Sequence, residues 1–186
     1  MKVINKGLII SLCGVTLFSY QHISNHRQTI IEKNRIASTL AKEVGYNYQN
    51  NDTYDGIIEI PKINLIRGFY TKDDKRNNIN ENITVHKSTT YPNENSSNLI
   101  LMAHSGIGEK AYFNDLTKLD SDSLIKIYYQ NVKYTYKINH FYEIEKNGTA
   151  IIKRDKTKKT LTLITCSQKD KTKQLIYVGY LIDETK

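Results

Sequence analysis

Proline occurs only twice in this 186-residue chain, cysteine only twice, and phenylalanine four times against fourteen tyrosines. With so little proline and many β-branched residues, the apolar material favours sheet over a helix bundle. Two cysteines cannot make a disulfide scaffold, and Cys13 lies in an apolar N-terminal run far from Cys166, so no disulfide within one chain is expected. No internal repeat and no strand-helix alternation is present, which argues against a solenoid or a doubly wound sheet. Acidic residues are few: 19 against 27 Lys and Arg, a net charge of +8. Much of the excess lies between Lys146 and Lys173, with nine basic residues against Asp155 and Asp170. Such a stretch is either a solvated loop face or a surface for an anionic partner. No aromatic side chains interleave these lysines in stacking order and no nucleic-acid motif is found, so nucleic acid is not expected as a partner.

The length allows one domain with a real core and a tail. From Gly7 to His26 the chain carries no formal charge, and Lys2 and Lys6 precede this run. The pattern predicts an uncleaved signal anchor over residues 1–26. A cleaved signal peptide is the alternative, although no small-x-small site follows the run. Cys13 follows Leu12, unlike a lipoprotein cysteine. Arg27, Lys33 and Arg35 compete with Lys2 and Lys6, so charge does not orient the span. Residues 27–53 predict a helical stalk, with Ile30, Ile31, Leu40, Ala41 and Val44 recurring about once per turn before NYQNNDTYDG. The globular part is expected over residues 54–186.

Within it, GIIEIPKINLIRGFY (56–70) predicts strand, turn and strand, with Pro61 at a break. NLILMAH (98–104) is a short buried strand, and a short helix is expected over 111–119. SLIKIYYQ and VKYTYKINHFYEIE alternate and should pair as a hairpin about Gln130-Asn131. AIIKR (150–154), TLTLITC (160–166) and QLIYVGYLI (174–182) supply further strands. The expected class is all-β, with the seven or eight strands forming a closed or nearly closed barrel, because closure removes exposed edges.

Cys166 ends an apolar strand and meets the polar loop SQKDKTK. It can be a buried structural thiol, half of an intermolecular disulfide, or a nucleophile, and its place at a rim favours the last. A thiol nucleophile needs a base or cation beside it to become thiolate. Of the histidines beyond the stalk, His140 lies within a strand and His86 in a polar segment, whereas His104 ends an apolar strand before a glycine turn. His104 should therefore reach a rim as Cys166 does.

NLILMAHS, YFNDL, the TLxTC motif of Thr162, Leu163, Ile164, Thr165 and Cys166, and a final apolar strand together resemble the sortase family over residues 56–182. The resemblance implies an eight-stranded barrel and a membrane-anchored cysteine transpeptidase whose catalytic domain is extracellular. Cys166 would cleave an LPxTG-like sorting signal between Thr and Gly through an acyl-thioester. His104 would donate and accept the protons. An amine of a cell-wall precursor or of another protein, such as a pilin-type lysine, would release the product.

The chain departs from the family at its third site residue, an arginine at the start of the last strand. Here the sequence reads DKTKQLIYVGYL, which places Gln174 at that position and Lys173 beside it. Gln174 could give a neutral hydrogen bond to a developing oxyanion, whereas a lysine supplies charge without the planar fork. Arg67, Arg76 and Arg154 are not well placed in sequence. No cofactor is required. Some family members bind calcium, and Glu81, Glu143 and Glu145 are possible ligands, but isolated glutamates of this kind are ordinarily surface charges. No long insertion separates 145 from 160, no second apolar span ends the chain, and no Asp-Pro-aromatic lid precedes His104, so the subclass stays open. The competing functions are a hydrolytic cysteine peptidase and a non-catalytic anchored barrel that binds peptide or wall polymer.

Overall fold

The computed structural model describes residues 6–43, 53–147 and 149–186, with the side chains of the first segment described from 20 to 41. That segment is a single helix, α1 (Lys6–Glu43), uninterrupted by proline. Among the described residues no helix is long and apolar enough to cross a membrane. This corrects the expected single-pass membrane location. Arg27, Glu32, Lys33 and Arg35 recur along the helix and break any apolar span there. The rest of the expected anchor, including Cys13, has side chains outside the described residues, and so does the end of the expected stalk, 44–52.

Among the described residues eight strands follow: β1 (Gly56–Ile60), β2 (Leu65–Phe69), β3 (Thr84–Val85), β4 (Asn98–Met102), β5 (Leu124–Tyr129), β6 (Val132–Glu145), β7 (Thr160–Cys166) and β8 (Lys173–Thr185). They form one sheet in the order β2-β1-β5-β6-β8-β7-β4-β3. A parallel bridge between Phe69, at the end of β2, and Ile83, just before β3, nearly closes the sheet into a barrel. β4 and β7 are parallel, and the other ladders are antiparallel.

Pro61 opens a 3-10 turn over Pro61–Ile63, which Asn64 ends in the left-handed conformation. Gln130 and Asn131 both have positive φ (53° and 61°), so the β5–β6 hairpin closes through two left-handed residues whose twist suits the flanking strands. The segment expected as a helix over 111–119 is only a 3-10 turn, Asn114–Lys118.

Strand alternation divides the sheet into two apolar faces. Leu99, Leu101, Leu161, Leu163, Leu175 and Tyr177 point into the barrel with Ile58, Phe69, Ile125 and Tyr136. Ile100, Ile164, Ile176 and Val178 form a second cluster on the outside. The segment after β6 covers this outer cluster, and AIIKR is therefore no strand. Ile152 packs on it, Tyr142 Oη donates to the Ile151 carbonyl (3.0 Å), and the Lys153 and Asp155 amides donate to Tyr142 and Tyr180 hydroxyls at 2.8 and 2.9 Å. The tyrosine hydroxyls satisfy backbone groups that a ladder would otherwise pair.

Candidate active site

The parallel ladder pairs Asn98 with Thr160 and continues through Met102 with Ile164, a constant offset of 62 residues. Carried two steps further, this offset sets His104 level with Cys166. Side chains two residues apart share a face, so His104 follows Ile100 and Met102, and Cys166 follows Ile164, on the outer side of the barrel. Three bonds hold the strand ends together past the ladder. The Ala103 amide donates to the Ile164 carbonyl (3.3 Å), Thr165 Oγ1 donates to the Ala103 carbonyl (2.8 Å), and Ser105 Oγ donates to the Cys166 carbonyl (2.6 Å).

On its other side Cys166 pairs directly with Gln174, which in turn pairs with Ile144 of β6. Gln174 thus stands on the same outer row as Cys166. Cys166 is half-buried and has no disulfide partner among the described residues. His104 is exposed, and its Nε2 lies 3.2 Å from Asn80 Oδ1. With that oxygen as acceptor, Nε2 carries the proton and Nδ1 is left to accept one.

Behind Cys166 the loop to β8 is drawn tight. The Ser167 amide donates to the Lys173 carbonyl (2.9 Å), and Asp170 accepts from the Thr172 hydroxyl (2.6 Å) and amide (2.9 Å). Those bonds, with Lys173 nearby, hold the Asp170 carboxyl below its usual range. Lys173 faces Glu143 (3.9 Å) and Asp170 (4.0 Å). Asn114 Oδ1 joins this loop to the one after His104, accepting from the Gly106 amide (2.9 Å) and from Gln168 Nε2 (2.8 Å).

These loops wall a cavity of about 640 Å³ with Cys166 in its lining, together with Ser105, Ile107, Asn114, Lys146 and Gln168. Ile107 is fully exposed at its lip, between Gly106 and Gly108, whose φ values of 117° and 141° suit glycine. The ammonium of Lys146 lies 3.5 Å from Cys166 Sγ.

Of the sequence-predicted residues, Cys166 and Gln174 are directly paired, whereas His104 lies two residues beyond the last β4–β7 ladder pair with its ring against Asn80. Arg67 stacks on Tyr112, Arg76 is held by Asp74, and Arg154 donates to the Ser96, Ser97 and Lys158 carbonyls. His140 Nε2 donates to the Lys153 carbonyl (2.8 Å), a structural role that ties β6 to the covering segment. Glu81 pairs with Lys110, Glu143 faces Lys173, and among the described residues no group of three His, Cys, Asp or Glu side chains could hold a metal ion. Asn80, Asn114 and Lys146 were not foreseen; of these only Lys146 had a signal, the basic stretch that begins with it.

A Sortase domain family model matches residues 58–182, and the chain belongs to the sortase family. No curated protein matches it. Among solved structures, it is similar to the Sortase D5 transpeptidase of Clostridium perfringens, at 22% identity and a TM-score of 0.64 over 82% of this chain and 99% of that one. Sortase C-1 of Actinomyces oris shares 21% identity (TM-score 0.61, over 69% and 71%). Sortase A of Corynebacterium diphtheriae shares 20% (TM-score 0.62, over 70% and 61%). Three differently lettered sortases match about equally well, so the likeness establishes the fold and leaves the subclass open.

Proposed function

We propose that this chain is a cysteine transpeptidase acting on proteins that carry an LPxTG-like sorting signal. The observation that carries the proposal is the pairing of Cys166 with Gln174 at an open cavity that Cys166 lines, with His104 two residues past the end of β4, the strand that runs parallel beside β7. Cys166, as thiolate, attacks the carbonyl carbon of the signal's Thr-Gly bond, and the carbonyl electrons move onto oxygen. The Gln174 amide donates a hydrogen bond to that oxyanion. Collapse breaks the C–N bond while His104, in its imidazolium form, gives its Nδ1 proton to the departing glycine nitrogen, leaving an acyl-thioester on Cys166 and a neutral ring that keeps Nε2–H. An amine of a cell-wall precursor or of another protein's lysine then attacks the thioester. It passes a proton to His104, forms the new C–N bond, and breaks the C–S bond to restore the thiolate. One amide is exchanged for another, with no oxidant and no cofactor.

The test is intact mass spectrometry of the full chain mixed with an LPxTG-type peptide, with and without an added amine. A Cys166-dependent acyl adduct that amine converts into ligated peptide is the expected result. An adduct released only to water would make the chain a hydrolase. No adduct from a folded protein with a titratable thiol, across several signal variants, would leave a peptide-binding barrel.

A further inference from the structure

The row of site residues contains no arginine, and Gln174, the residue directly across from Cys166, is neutral. A thiolate nevertheless needs positive charge close to sulfur. Arg35 stacks on Tyr54 on the helix side of the barrel, and Arg67, Arg76 and Arg154 are held elsewhere. Lys173, the cation beside Gln174, is shared between Glu143 and Asp170. One basic nitrogen among the described residues touches the reacting atom: Lys146 Nζ, 3.5 Å from Sγ.

Lys146 has an exposed side chain on a backbone anchored beside the thiol. It is the first residue after β6, and its own amide donates to the Thr172 carbonyl at 2.7 Å, which fixes its backbone against the loop that follows Cys166. No carboxylate pairs with its ammonium among the described residues. Its side chain reaches sulfur past the end of the last strand and lines the same cavity.

We propose that Lys146 is a catalytic residue of this site, the ammonium that holds Cys166 as thiolate before attack. The site's positive charge is thereby divided from its oxyanion donor: Lys146, beyond the end of β6, serves the sulfur, and Gln174, on β8, serves the oxygen. No bond to Lys146 forms or breaks, and it keeps its proton throughout. The proposal rests on the transpeptidase reading only in taking Cys166 as the nucleophile.

The experiment is the rate of Cys166 alkylation by iodoacetamide in the full chain, followed by intact mass at pH 7 and at pH 9.5. Lys146→Met should slow alkylation at pH 7 by about fivefold, the effect of a unit charge at this range through water. The two proteins should converge at pH 9.5, where base alone forms the thiolate. Lys146→Arg should stay close to the parent, and Lys146→Glu should be slower than Lys146→Met. Circular dichroism confirms that the variants are folded. A Met variant that alkylates at the parent rate at pH 7, or one slowed equally at both pH values, would overturn the proposal, the second because it reports access and not charge. Addition of an LPxTG-type peptide to the same samples separates the two readings. The alkylation pattern without any acyl adduct keeps the charge assignment and removes the transpeptidase; an adduct with unchanged alkylation does the reverse.

Discussion

Ser105 Oγ lies 2.6 Å from the backbone carbonyl oxygen of Cys166 and donates to it, tying the residue after His104 to the residue that carries the thiol. Because β4 has left the ladder at Met102, this bond keeps the two strand ends in step where the reactive side chains emerge. Ser105→Ala should cost about 1 kcal/mol of stability, the usual net worth of one such bond. The larger effect should be on turnover: kcat is expected to fall about tenfold, since small misplacements of reacting groups are costly. A steady-state assay beside a thermal melt measures both. Loss confined to the melt would mean that the bond has no part in alignment.

Asn80 should matter through the ring that it holds. With His104 Nε2 donating to Asn80 Oδ1 at 3.2 Å, Nδ1 is the atom free to exchange protons. Asn80→Ala releases the ring and both tautomers become available. Turnover should drop several-fold while stability changes little, because the pair is exposed. Asn80→Asp should instead favour the doubly protonated ring and displace the alkaline limb of the pH-rate profile for acyl-adduct formation, the step in which His104 is the acid, to higher pH. His104→Ala should nearly abolish turnover, and Cys166→Ala should abolish it. An unchanged pH-rate profile in Asn80→Asp would remove Asn80 from the site.

Gln174 faces Cys166 across the β7–β8 ladder, where a neutral amide can reach an oxyanion. Loss of one such donor costs about 10²-fold in kcat, so Gln174→Ala should retain measurable activity. Gln174→Arg restores the planar, charged fork and should match or exceed the parent. Complete loss in both Gln174→Ala and Gln174→Lys, with folding intact, would make the amide itself essential. No loss in either would move the oxyanion role to Lys173.

Strong periodicity made most of the barrel legible in the sequence. β5 and β6 alternate around Gln130-Asn131, and the offset that brings His104 level with Cys166 equals their separation along the chain. Short and irregular pieces were not legible. β3 is two residues long, too short to carry a period. AIIKR has the composition of a strand, yet it is held by the hydroxyls of Tyr142 and Tyr180, which no local pattern reveals. Lys146 reaches Cys166 only after register shifts in β6 between Thr135 and Tyr136 and between Ile138 and His140 set where that strand ends. Each shift changes the offset between β6 and β8, and alternation does not fix where such shifts fall.

Helix α1 is docked on the barrel through Tyr54, and this contact can be broken in two distinguishable ways. Tyr54 is buried; its amide donates to Thr39 Oγ1 (2.9 Å), its hydroxyl donates to Glu32 (2.7 Å), and the Arg35 guanidinium stacks over its ring at 5.2 Å. Burial, and then the bond to Glu32, push its phenol well above the ordinary range, so it remains a donor at any working pH. Across the ring stands Gly68, where an added Cβ would meet Tyr54 at 1.8 Å. Gly68→Ala must therefore displace the ring, a crowding that costs about 1–3 kcal/mol. Tyr54→Phe keeps the ring and removes only the hydroxyl, for about 1 kcal/mol. Both should speed proteolytic cleavage within residues 20–41, Gly68→Ala the more, while alkylation of Cys166 stays at the parent rate because the contact lies away from the thiol. Equal cleavage rates in the parent and in Gly68→Ala would mean that α1 is not held through Tyr54.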